Sequence, residues 1–312
     1  MPMLSIGTGA TPRPRARGRR RVRGSVPGSV RSLVNTSLHL GFRGIDSAEV
    51  YPLFEEVGEA IRLSGLPRSQ VFLTSKVDPT RKFGRHGASC LPDGTGCFEA
   101  MRAAANRTSA KLGTYVDLLL LHRPPKQLGD PQAQCRRLLE SWRALEDAQR
   151  RGIARSIGLS NCCGHLLKCV ATAAATRPAA VQYMQHVGMG PDRFGYRKWA
   201  ETTWGAAYMG YSVLGGVEGD FGRIVSQPLV QRIAQAHSTQ PAKMALSWVA
   251  QLGMPFVVLS GNVAHLKDDL RLFDNPSWGK LSASEMEALS ALDAPPGRPS
   301  HWGDCRDAPL QV

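Results

Sequence analysis

The stretch 115-YVDLLLLH-122 decides the fold. Four consecutive leucines follow a single acid, with no alternation of polar and apolar positions. A strand with one face in water alternates with a period of two. A continuous apolar run is what a strand buried on both faces requires, and helices bury both faces of a parallel sheet. Runs of this kind recur on either side of it: Leu4–Thr8, Phe42–Asp46, Val71–Lys76, Val116–His122, Ala154–Ser160, Ala180–Gln185, Ala207–Val213 and Pro255–Ser260. Longer segments with helical spacing lie between them. In 54–64, Val57, Ala60 and Ile61 share a face, Glu55 and Glu56 lie in the first turn where the helix dipole favours acids, and Gly65 marks the stop. Segment 136–150 repeats the pattern with Leu138, Leu139, Trp142 and Leu145, and Ser282 followed by Glu285 has the spacing of a capping box. Eight strand–helix units predict an α/β fold, a (β/α)8 TIM barrel, with a doubly wound sheet as the alternative. No linker divides the chain, so residues 1–312 are expected to form one barrel unit.

Composition bounds the function classes. With 312 residues, 42% hydrophobic and 21% charged, the chain is long enough for a full core without disulfide staples. Its seven cysteines, at 90, 97, 135, 162, 163, 169 and 305, form no CxxC pair and are expected to be reduced thiols in a cytosol-like compartment. No signal-peptide core and no run of about 18 apolar residues occurs, so a cytoplasmic protein is expected and a membrane protein is not. The net charge is +14, and residues 1–45 hold nine arginines and no acid. Residues 11–24 read as an arginine-rich loop insert; without interleaved aromatics or a nucleic-acid module around it, a solvated loop is expected rather than a nucleic-acid site. Residues 78–97 and the tail 294–312, irregular in sequence, are expected as long loops over the carboxyl face of the strands.

Barrel chemistry sits at the carboxyl ends of the strands. Asp46, Lys76, His122, Ser160 and Asn161 fall there, with Tyr51 just beyond Asp46. A free tyrosine, with a pKa near 10, is a poor acid at neutral pH. A nearby ammonium lowers that pKa, a carboxylate holds the ammonium, and a histidine hydrogen-bonds an oxygen on which charge grows. The remaining histidines match no ligand spacing, so no metal is expected.

The stretch 41-GFRGIDSAEVYPLFEEVGEAIRLSGLPRSQVFLTSKV-77 resembles the aldo-keto reductases: a Gly-aromatic-Arg-x-Ile-Asp strand, a tyrosine five residues after the Asp, and a lysine ending the next strand. The resemblance continues through 115-YVDLLLLHRP-124, 142-WRALEDAQRRGIARSIGLSN-161, 208-YMGYSVLG-215 and 262-NVAHLKDDL-270. It implies nicotinamide-dependent reduction of an aldehyde or ketone, with Tyr51 as proton donor, Lys76 and Asp46 tuning it, and His122 orienting the carbonyl. It implies that Ser160, Asn161 and Gln182 bind the carboxamide, that Tyr211 stacks under the nicotinamide, and that Ser212 and Leu214 meet the pyrophosphate. Thr8, ending the first strand, joins this cofactor set. Arg123 stands where many relatives carry an aromatic, at a position facing the substrate. The usual N-terminal hairpin that plugs the barrel floor is shortened to one arm, residues 1–7, and Gly9 replaces a bulkier residue. A binding subunit that keeps the fold without catalysis is the alternative. The expected partner is a small carbonyl compound, and the expected state a monomer or weak oligomer.

The resemblance also implies NADPH, gripped by a lysine ending the eighth strand and an arginine a few residues on. Here Leu259 and His265 hold those positions. Leucine offers a phosphate nothing, and an imidazole is mostly neutral at pH 7.5. Asp268 and Asp269 add negative charge, leaving Ser260, Asn262 and Lys267 as partners. NADPH with weakened discrimination, and NADH usable, is the expectation.

Overall fold

In the computed structural model the described residues are 1–9, 29–78, 90, 96–125, 130–215, 224–274, 279–292 and 310. All eight expected strands form: β1 Leu4–Gly7, β2 Gly44–Asp46, β3 Phe72–Val77, β4 Val116–Leu121, β5 Ala154–Ser160, β6 Ala180–Met184, β7 Ala207–Tyr211 and β8 Phe256–Val258. Each pairs in parallel with the next, and β8 closes on β1, giving a closed eight-stranded barrel. The helices are α1 Val30–Leu40, α2 Glu55–Leu63, α3 Cys97–Leu112, α4 Pro131–Arg150, α5 Gly164–Ala173, α6 Tyr196–Trp204, α7 Pro228–Ala236, α8 Pro241–Gln251, α9 Val263–Asp274 and α10 Ala283–Ser290.

Local chemistry accounts for these boundaries. Asp130 caps α4 by accepting from the N–H groups of Gln132 and Ala133, and Pro131 occupies the first turn, where no donor is needed. Ser282 and Glu285 close the expected capping box at α10. On α4, Leu138, Trp142 and Leu145 are fully buried; burying each leucine stabilises the fold by about 1.5–3 kcal/mol. Gly58 lets α2 lie on the end of α3, because a Cβ there would collide with the Leu112 carbonyl.

Inside the barrel, Leu118, Leu120, Ala180 and Met209 form a separate apolar cluster. Below them, at the amino ends of the strands, a cavity of about 460 Å³ opens between Pro2, Gln70, Asp117 and Arg155.

The cysteines depart from expectation. Cys90 is bonded to Cys97 and Cys135 to Cys169, and Cys163 is disulfide-bonded as well; among the described residues only Cys162, buried, is free. Pairing depends on proximity in space: α4 and α5 bring the Cα atoms of Cys135 and Cys169 to 6.0 Å across 34 residues of sequence, which no local spacing announces. The arginine-rich stretch 11–24, most of 78–97 and most of 294–312 lie outside the described residues. Leu310 is an exception: its N–H donates to the Phe194 carbonyl at 2.9 Å and its side chain packs on Gly164, at the start of α5.

Candidate active site

Three adjacent strands bring the catalytic candidates together. Asp46 ends β2, Lys76 lies near the end of β3, and His122 follows β4. The chain beyond β2 stays alongside β3, Ser47 N–H donating to Thr74 and Glu49 N–H to Lys76. A turn in which Tyr51 N–H donates to the Ala48 carbonyl at 3.0 Å then carries Tyr51 back over the barrel mouth. There its ring meets His122 edge-on, with centroids 5.7 Å apart, and the Lys76 ammonium lies 5.5 Å from its centroid.

Asp46 and Lys76 form a buried ion pair. Lys76 Nζ also donates to the Ser47 carbonyl at 3.1 Å and hydrogen-bonds the Tyr51 hydroxyl. Burial alone would lower the lysine's pKa, but the charges of Asp46 and Tyr51 outweigh it and hold Lys76 above its usual value. His122 is held well below the imidazole range by burial, then by the charges of Lys76 and Arg123. Tyr51 overturns one expectation. Burial raises the phenol above 10, and the pull of Lys76 in the other direction does not cancel it. At neutral pH the site therefore presents a protonated phenol, a charged ammonium and a neutral imidazole.

The carboxamide candidates lie on the next two strands. Gln182 Nε2 donates to Asp46 Oδ2 at 2.8 Å across the barrel, while its Oε1 is buried with no hydrogen-bond partner. Ser160 donates to the Gln182 carbonyl at 3.0 Å. Asn161, in a left-handed conformation with φ 58, donates through Nδ2 to the His122 carbonyl at 3.0 Å and accepts from the Tyr211 hydroxyl at 2.7 Å. Thr8 donates to the Ser47 hydroxyl at 2.7 Å. Ser212 and Leu214 sit in the turn after β7, Ser212 with φ 51.

The phosphate candidates stand apart, in the turn after β8 and on α9. Asn262 Oδ1 accepts from Ala264 N–H at 2.9 Å and caps α9; Ser260 Oγ lies 3.3 Å from His265 Nδ1. Leu259 is 42% exposed. Burial and the neighbouring Asp268 carboxylate push Asp269 up to about 7.

The role of Gly9 and the presence of Asp78 at the site were not read from the sequence. A Cβ on Gly9 would lie 3.0 Å from Cζ of Tyr51 and 3.3 Å from its hydroxyl, so the missing side chain makes room for the phenol. Asp78, one strand period beyond Lys76, is buried and ion-paired with Arg123 at 2.8 Å; its spacing from Lys76 was the available signal. Among the described residues no group of three potential metal ligands occurs, and no helix is long and apolar enough to cross a membrane.

A closed parallel barrel with an Asp–Tyr–Lys–His cluster at the carboxyl ends of its strands describes a class of barrel oxidoreductases. The comparisons with known proteins agree: residues 4–217 match the aldo/keto reductase family model. An aldo-keto reductase from Mycolicibacterium smegmatis is 30% identical over 263 residues, 83% of this chain and 81% of the relative. Aldo-keto reductase family 1 member A1 of Rattus norvegicus is 27% identical, covering 94% of this chain and 86% of the relative. In fold, the chain resembles an aldo-keto reductase from a deep-sea metagenome library, with a TM-score of 0.74 and 21% identity over 97% of this chain and 96% of that one. The chain belongs to the aldo/keto reductase family. It is therefore an oxidoreductase of a family that acts on small carbonyl compounds and generally uses NADP(H).

Proposed function

We propose that this protein reduces an aldehyde or ketone to an alcohol, with residues 1–312 acting as one catalytic unit. The observation that carries the reading is the cluster of Tyr51, Lys76, Asp46 and His122 at the ends of three neighbouring strands. When bound, the nicotinamide cofactor supplies a hydride to the carbonyl carbon. Tyr51 delivers the proton to the carbonyl oxygen, and its raised pKa keeps that proton available at neutral pH. Lys76 stabilises the phenolate left behind, and Asp46 anchors Lys76. His122, held neutral, donates a hydrogen bond to the oxygen as it gains charge.

The residues fit the cofactor. The unpartnered Oε1 of Gln182 suits an amide N–H, and Ser160 and Asn161 flank it. Tyr211 offers a ring beside them, while Thr8, Ser212 and Leu214 line the approach. Ser260, Asn262 and His265 at the start of α9 would receive the 2′-phosphate, with Asp268 and Asp269 opposing it. NADPH is thus the cofactor, with NADH also usable. The cytoplasmic expectation rested on reduced cysteines, and the disulfides argue for an oxidising compartment in its place. Following NADPH and NADH oxidation with a panel of aldehydes and ketones tests the function. Cofactor oxidation that depends on the carbonyl is expected; its absence across the panel, with cofactor binding intact, would favour the non-catalytic alternative.

A further inference from the structure

Arg123 is the first residue past the catalytic histidine candidate, and several features hold it still. Proline at 124 restricts the arginine's backbone to extended conformations. The Pro125 carbonyl accepts from Gln134 Nε2 at 2.8 Å, which fastens the turn to α4. At the other end of the side chain, Arg123 Nε lies 2.8 Å from Asp78 Oδ2, just beyond β3. The two partners are unequal: the Asp78 side chain is 2% exposed, whereas that of Arg123 is 29% exposed. The acid is an internal anchor, and the base reaches the open mouth of the barrel.

The guanidinium's charge is felt by three groups around the reacting position. Its charge acts on Tyr51 and His122, and also on Tyr211, which reaches Asn161 from the opposite wall. Other charges at this end are matched among the described residues: Asp46 by Lys76, and Glu49 by Arg107 at 2.7 Å. Among the described residues, no uncompensated carboxylate there repels an incoming anion. A guanidinium carries five N–H donors in a planar fork suited to a carboxylate, and one fixed in advance loses little freedom on binding.

We propose that Arg123, positioned by Asp78, binds a carboxylate carried by the substrate, so that the preferred substrates are oxo acids and carboxylated aldehydes rather than neutral carbonyl compounds. This rests on the reductase reading above and adds a substrate class to it. The anionic group and the reacting carbonyl occupy one cleft, the first at Arg123 and the second between Tyr51 and His122.

The test compares 4-carboxybenzaldehyde with its neutral methyl ester. Wild-type protein is expected to favour the acid by roughly tenfold or more in kcat/KM, mainly through KM, with the preference shrinking as salt rises. The double variant Arg123→Met with Asp78→Asn avoids stranding a buried carboxylate and is expected to bring the ratio near one. Arg123→Lys, which keeps the charge without the fork, should retain part of it. A wild-type ratio near one, or a ratio unchanged in the double variant, overturns the assignment. Calorimetric binding of 4-carboxybenzyl alcohol against 4-(hydroxymethyl)benzamide, with and without NADP⁺, reads the same preference without turnover. Acid-selective binding lost in the double variant supports the proposal even if neither aldehyde is reduced, an outcome that would instead fail the reductase reading. Equal binding of acid and amide counts against Arg123 alone.

Discussion

The two ends of the proposed cofactor cleft are built differently. At the reacting end, on and just beyond β2, β3 and β4, Asp46 and Lys76 are buried, Arg123 is partly buried, and each is held by a partner: Lys76 by Asp46, Asp46 by Gln182, Arg123 by Asp78. At the phosphate end, beyond β8 and on α9, the candidate groups are exposed or only partly buried, Ser260 lies 3.3 Å from His265, Arg271 lies 3.1 Å from Asp268, and two adjacent acids crowd the helix. Buried polar groups tolerate few alternatives, because an unpartnered charge there costs several kcal/mol, on the order of 3–5 when one partner is removed. Exposed groups drift at little cost. On the proposed reading the chemistry is tightly specified at one end, and the choice of cofactor loosely specified at the other.

Four experiments test that contrast. Tyr51→Phe should lower the turnover of carbonyl reduction by about 10²–10⁴-fold while leaving cofactor affinity within a few-fold, measured by steady-state kinetics and cofactor fluorescence. Turnover at the wild-type level would remove the reacting end from the argument. At the phosphate end, kcat/KM for NADPH over NADH on one aldehyde should stay below about a hundredfold, since two charge-assisted hydrogen bonds of roughly 1.5–3 kcal/mol each are replaced by Leu259 and His265. A preference above a thousandfold would mean that other residues grip the phosphate, and the contrast would collapse.

Smaller effects sharpen it. Gly9→Ala should cut kcat by about 3–10-fold, because Tyr51 must yield by a few tenths of an ångström and misplacement by 1 Å costs about 10²-fold. An unchanged kcat would show that the phenol is less constrained than its neighbours imply. Asp269→Asn should raise Tm by about 2–4 °C at pH 8 and leave it unchanged at pH 4. The sign follows from the raised pKa. The unfolded acid ionises above its ordinary 3.8 while the folded one keeps its proton to about 7, so the fold loses stability as pH climbs between those values. Equal thermal shifts at both pH values would rule out that ionisation.

The sequence disclosed the barrel because strands buried on both faces leave continuous apolar runs, as in Val116–Leu121, and parallel closure then follows from the helices between them. Asp46, Tyr51, Lys76 and His122 were legible for a related reason: strand ends and short turns fix where such residues go. What stayed hidden depends on distance through space. The Tyr51 pKa is decided by how much of the ring is covered, which no spacing records, and the net shift runs upward against expectation. The link from Gln182 to Asp46 spans 136 positions. Gly9 is informative only for the side chain it lacks, and the cysteines are paired by how helices pack.

The bond between Cys135 and Cys169 also has a mechanical side. It closes a loop around most of α4, all of β5 and half of α5, including the Ser160–Asn161 corner. Drawn out from its two ends, the oxidised chain would fall short of the reduced one by on the order of 120 Å of contour length, at about 3.5 Å for each of the 34 positions bypassed. The load would run through two sulfur atoms, and the strand bearing that corner would carry none of it.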